Sequence, residues 1–194
     1  MSNLTRTQAV TILRRLGWRS RTTSEYLRDV KNFQGGWNFG TALSVDGSVG
    51  PKTSAALLYS EKRRRAGLGT ASAHFSFKEV RCRCGGKYDS CWRIWQKRSA
   101  FQMMERYRAH TGRSLTVVSG CRCPSHNKAV GGSPTSRHPQ GLACDVPAVY
   151  SATTVRSWRL ATHIGYSPSL GKVVHLDLGS GATVAHPLIY RDGR

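Results

Sequence analysis

Apolar residues return at three- and four-residue steps through TRTQAVTILRRLGW, where Val10, Leu13 and Leu16 or Gly17 fall on one side with polar residues between them. That spacing predicts a helix with one buried face. TSEYLRDVKNF repeats it with Tyr26, Val30 and Phe33. A third helix is expected from Pro51 in PKTSAALLYSEKRRR, because proline fits the first turn, and it should end before Gly67. Between the second and third helices, GGWNFGTALSVDGSVG is glycine-rich and carries a DG turn signal. Farther along, WRIWQKRSAFQMMERYRAHTG sets Ile94, Phe101, Met104 and Tyr107 on a helical period and stops at Gly112, a C-cap residue. Phe101 and the methionines read as core contacts. The period then changes. LTVVSG is a short β-branched run that predicts a strand, ACDV a shorter one, and KVVHLDL alternates, with Val173, His175 and Asp177 pointing one way and Val174, Leu176 and Leu178 the other.

GLGTASAHFS, residues 67–76, is small and flexible in composition and divides the helical part from the rest. The expected division is 1–68 and 74–194, with HFSFKEVRC anchoring the second part. At 194 residues and 39% hydrophobic, the chain can form folded cores rather than remain disordered. Its start shows no basic region followed by an apolar run, and no stretch approaches the ~18 apolar residues of a membrane span. Charge adds a different constraint. The formal net charge is +20, with 12 Lys or Arg against 4 acids in residues 1–73 and 18 against 6 in residues 74–194, so both parts are basic. Such a field attracts polyanions generally, and charge alone does not choose among them. KRRR at 62–65 reads as a solvated face.

Cysteines occur as Cys82, Cys84 and Cys91, then Cys121, Cys123 and Cys144. Disulfides, a structural metal held by the first group, and free buried thiols are all compatible with this spacing.

The candidate chemistry lies in SRHPQGLACDV and KVVHLDL. Pro139 and Gly141 can turn the chain so that a short strand returns Asp145 toward His138, while His175 and Asp177 share a strand face. Two imidazoles and a carboxylate suit a catalytic zinc with a fourth position open to water. Singly, each residue has an ordinary role as a turn histidine, a cap or an ion-pair partner; jointly, two separated polar pairs point to a metal. His126 reads as a pocket or framework residue, and Glu79 and Glu105 as poorer acid–base candidates.

SGCRCPSHNKAVGG, SRHPQGLACDV and VVHLDLG together resemble the zinc D-Ala-D-Ala carboxypeptidases and LAS-type peptidoglycan peptidases, an M15-like family. The resemblance implies an α+β fold, with a small helical wall-binding domain followed by a zinc peptidase domain built on a central antiparallel sheet. It also implies zinc ligation by His138, Asp145 and His175, and a charge-stabilising, substrate-binding role for Arg122, with Ser136 a further substrate contact. One departure is visible. Several branches of that family place an acid three residues before the last histidine, where this chain has Lys172. Asp177 is then the nearest acidic candidate, either as the catalytic base or as a residue orienting His175. ALSVDGSVGPKTSAAL, with Asp46, Gly47, Gly50, Thr53, Ala56 and Leu57, resembles the peptidoglycan-binding module of bacterial and bacteriophage wall hydrolases. Gly47 and Gly50 are expected at turn positions needing backbone freedom, and Thr53 is expected to satisfy a helix-start amide.

The function expected is zinc-dependent cleavage of peptidoglycan peptides, with an endolysin-like endopeptidase ahead of a D-Ala-D-Ala carboxypeptidase and of a noncatalytic wall-binding protein. Expected partners are peptidoglycan and anionic wall polymers, with no specific nucleic acid and no transmembrane segment, and a monomer is compatible. Such a protein would be made in the host cytoplasm without a signal peptide and act on the wall after release.

Overall fold

The computed structural model describes residues 3–88, 91–93, 95–180 and 188–191. Three helices come first, α1 (Arg6–Leu16), α2 (Thr23–Gly36) and α3 (Pro51–Arg65). Thr5 caps α1 in a reciprocal box with Gln8, and Thr22 caps α2 through the Glu25 amide, so polar residues set both starts. The α1 stripe is Ala9, Ile12, Leu13 and Leu16, with Val10 only half-buried, which rotates the buried face from the one expected. Tyr26, Val30 and Phe33 are buried on α2 as their spacing predicts.

The loop before α3 is organised by Gln34. Its carboxamide nitrogen lies 2.8 Å from Asp46 Oδ1 and 3.1 Å from Thr53 Oγ1, and its oxygen accepts the Gly47 amide at 2.9 Å. Thr53 therefore serves this buried contact and not a helix cap; Gly50 occupies the cap, without a side-chain bond. Gly47 needs its glycine, at φ +83°, whereas Gly50 has an ordinary φ of −76°.

The second part contains α4 (Arg98–Thr111), α5 (Pro124–Ala129) and a 3-10 turn at His138–Gln140, followed by β1 (Ala143–Asp145) and α6 (Ala152–Ser157). It ends with β2 (His163–Ser167), β3 (Lys172–Asp177) and β4 (Leu188–Arg191). Strand order is β1-β3-β2-β4. The first three are antiparallel, and β4 runs parallel to β2 at the edge, so the small sheet is antiparallel except for that strand. The fold is α+β. LTVVSG, expected as a strand, makes only an isolated bridge at Ser119, because beyond it the Cys121 amide goes to Val80 O at 2.9 Å instead of to a strand. Phe101, Met104 and Tyr107 are buried on α4, which ends at Gly112 in the left-handed region; Ile94 lies outside the described residues.

Both parts share one apolar core. Trp18 meets Phe77 at 4.7 Å and Trp95 at 4.3 Å between ring centroids, while Phe77 lies 5.5 Å from Phe33 and 5.7 Å from Phe101. Thr70, Ala71 and Ser72, in the segment whose composition suggests flexibility, are buried, and Ala71 O accepts the Asn38 amide at 2.7 Å. Small side chains there permit close packing. Among the described residues, no helix is long and apolar enough to cross a membrane.

Candidate metal centre

Strand register builds the site. Asp145 on β1 stands opposite His175 on β3, and on the other side of β3 His163 stands opposite Asp177. Gly165 faces His175 from β2 and Ala143 faces Asp177 from β1, small residues that leave room beside the polar ones. The expected alternation holds for His175 and Asp177 but not for Val173, which joins the apolar core with Leu176. The cause is a register shift between Gly165 and Tyr166, an irregularity that resets the pleat along β3.

His138 reaches the same space as the first residue of the 3-10 turn, with Pro139 next in it and Gly141 ending it at φ +69°. A Cβ at Gly141 would lie 2.1 Å from Trp95 O, so glycine is required there for close approach as well as for the backbone angle. The Gly141 carbonyl accepts the Lys97 amide at 2.9 Å, and Gln96 Nε2 donates to Ala143 O at 2.8 Å, tying the turn and β1 to the start of α4.

Three atoms converge. His138 Nε2 lies 3.1 Å from Asp145 Oδ1 and 3.2 Å from His175 Nδ1, which is itself 2.8 Å from the same carboxylate oxygen. Nitrogen and oxygen ligands ~2.0–2.1 Å from a tetrahedral zinc would stand ~3.3 Å apart, close to these separations. Tautomers follow from the outer partners. His138 Nδ1 faces Gly120 O at 2.5 Å, and a carbonyl only accepts, so Nδ1 carries the proton and Nε2 presents its lone pair. His175 Nε2 faces Asp177 Oδ2 at 3.1 Å, which leaves Nδ1 as the bare nitrogen. Two lone pairs and a carboxylate oxygen thus point at one another, an arrangement that a cation stabilises. The donor set fits zinc.

Burial sharpens the electrostatics. It holds the His138 pKa below the ordinary histidine value despite Asp145. At His175 burial acts the same way but is outweighed by hydrogen bonds to Asp145 and Asp177, and the pKa is raised. In the absence of a cation, His175 is therefore where a proton competes for the site.

Arg122 lies against the second Asp145 oxygen, with Nε on Ser119 Oγ at 3.0 Å and its amide on His138 O at 3.2 Å. It is buried and bound to the Asp145 carboxylate. Ser136 is partly exposed on the approach to His138, whose amide lies 3.4 Å from its Oγ. Lys172 pairs with Ser167 at the opposite end of β3 from Asp177. His126 stands with Cys82, at 3.3 Å, rather than among the three converging side chains. Glu105 is engaged by Ser72 and His74, and Glu79 caps the Ser76 amide.

His163 was not singled out by its sequence. Its Nδ1 is 3.0 Å from Asp177 Oδ1, off the axis of a good hydrogen bond, so the contact is electrostatic. The available signal was HIGYS, whose alternation places His163 and Gly165 on one strand face.

A search of curated proteins returned no match. The peptidase M15 family model matches residues 73–177, just over half of the chain, and its span contains His138, Asp145, His175, Asp177, Arg122 and His163. This chain belongs to the peptidase M15 family.

Proposed function

We propose that the protein is a zinc-dependent peptidoglycan endopeptidase that cuts wall cross-links during phage-induced host lysis. The observation carrying this reading is the convergence of His138 Nε2, Asp145 Oδ1 and His175 Nδ1, with both histidine tautomers fixed from outside, in a peptidase family. These three residues would hold zinc, which when bound lowers the pKa of a water at its open position and polarises the scissile carbonyl.

The chain's own groups then have separable tasks. Arg122 secures one Asp145 oxygen so that the other faces the histidines, and the same guanidinium is suited to steady negative charge developing on the substrate. Asp177 orients His175 through Oδ2, while Oδ1 and His163 form the titratable pair that strand register sets beside the ligands. In this scheme that pair accepts the proton of the attacking water and returns one to the leaving amine. Asp177 combines both roles considered from sequence. Ser136 supplies a substrate contact at the site's edge.

Residues 1–68 act as the wall-binding module, concentrating scissile peptides near the site. The DGSVGPKT loop supports this assignment, and the +20 charge favours contact with anionic wall polymers. The protein would be made in the host cytoplasm and reach the wall after release.

Digestion of purified cross-linked peptidoglycan, read by mass spectrometry, tests the proposal. Conversion of cross-linked dimers to monomers supports it. Release of free D-Ala alone assigns a carboxypeptidase instead, and wall binding without new peptide ends removes the catalytic reading.

A further inference from the structure

The peptidase scheme uses none of the six cysteines, yet they are not dispersed. Cys121 Sγ engages Val80 O at 3.2 Å, and Cys144 is packed in the main core. The remaining four gather. The Sγ atoms of Cys82, Cys84, Cys91 and Cys123 all lie within 4.8 Å of one another, with 3.5 Å between Cys82 and Cys84 and 3.8 Å between Cys84 and Cys123. Four sulfurs ~2.3 Å from a central zinc stand ~3.8 Å apart along the edges of a tetrahedron. All four are free thiols, and Cys84 is close to two different partners, which indicates a common centre rather than a set of pairs.

The surroundings suit thiolates. The Cys123 amide donates to Cys82 Sγ at 3.3 Å, and the His126 amide donates to Cys123 Sγ at 3.4 Å. His126 Nδ1 lies 3.3 Å from Cys82 Sγ, and its ring is stacked with Tyr88. Each contact directs an N–H or a ring nitrogen at sulfur, as outer partners do around metal-bound thiolates. The need for such a centre is also visible. Between Val80 and Lys97 the described residues form no helix or strand, and the cysteines make a small cluster separate from the main core.

We propose that Cys82, Cys84, Cys91 and Cys123 form a second, structural zinc site, closed by four thiolates and separate from the His138–Asp145–His175 set. Four soft thiolates in a tetrahedral set suit zinc, and four protein ligands leave no position for catalysis. The site ties Cys82, Cys84 and Cys91 to Cys123, the residue after Arg122, and so anchors the segment that places Arg122 on Asp145. It is a positioning element. The inference does not depend on the catalytic assignment.

Metal content and the absorption of the cobalt(II)-substituted protein test it, measured on the full chain and on His138→Ala and Cys84→Ser. The expected result is two equivalents of zinc in the wild type and one in His138→Ala, with thiolate-to-cobalt charge-transfer bands in both. Cys84→Ser should lose those bands and unfold at a lower temperature. Because the bands are read on the wild type and His138→Ala, a Cys84→Ser chain that fails to fold leaves the test intact. A single thiolate-bound metal, unchanged by His138→Ala, would support the cysteine site while removing the catalytic one. Metal-loaded wild type lacking thiolate bands, or disulfides among the four cysteines in protein purified without reductant, overturns the proposal.

Discussion

Asp177 is where one residue carries two tasks, and two substitutions separate them. Asp177→Ala removes the acceptor that orients His175, so zinc affinity should fall about 10–100-fold, measured by competition with a chelator. Asp177→Asn keeps an oxygen toward His175 but loses the basic carboxylate, so zinc should be retained while kcat falls by about 10²–10⁴-fold. Equal zinc loss in both would leave Asp177 an orienting role only. The histidines set a pH dependence of definite sign. In metal-free protein, the raised His175 pKa gives stability that is fully present below the unfolded value and lost as pH rises through the folded one. His138, with its lowered pKa, contributes stability present above the unfolded value and lost as pH falls. Zinc requires both rings neutral, so its affinity should decline as pH falls through the raised His175 value, a trend that titration at several pH values checks. His138, Asp145 and His175 were legible because each sits beside a second polar residue or a turn signal in a short segment. His163 and Cys123 were not, because their partners are supplied by strand register and by a loop contact across 39 residues, from Cys84 to Cys123.

At the scale of elements, α3 is held to α1 by charge as well as packing. Glu61 is buried and receives Arg64 at 2.7 Å, Arg15 at 3.1 Å and Arg65 at 3.3 Å. The Arg64 hydrogen bond leads in lowering its pKa to about 2, against burial. Its contribution is therefore present above the ordinary glutamate value and lost as pH falls toward about 2. Since the arginines are substantially exposed, Glu61→Gln should cost about 1–2 kcal/mol near neutral pH, with the difference shrinking at pH about 3 in denaturant titrations. α1, α2 and α4 were readable from periodicity because a 3.6-residue pattern repeats over several turns, whereas α3 was readable from Pro51 at its first turn. α5 and α6, of six residues each, and β1, of three, are too short to show a period. The β3 irregularity was also hidden, since it is a property of pairing with β2 rather than of KVVHLDL itself.

For the whole molecule, the shared aromatic core joins two parts that composition separates. Trp18 and Phe33 pack on Phe77 and Trp95, and each large apolar side chain buried this way contributes about 1.5–3 kcal/mol. The zinc-loaded chain should accordingly melt in one cooperative transition by calorimetry; two well-separated transitions would show independent units. The positive charge acts over longer distances, so wall binding should weaken as salt rises. The most direct test of the metal-centre assignment is zinc readdition to chelated protein, followed by release of new peptide ends from peptidoglycan. No release is expected after chelation, with recovery in proportion to zinc restored, and none at any zinc concentration for His138→Ala. Full activity in the chelated protein, or zinc-restored activity in His138→Ala, would contradict it.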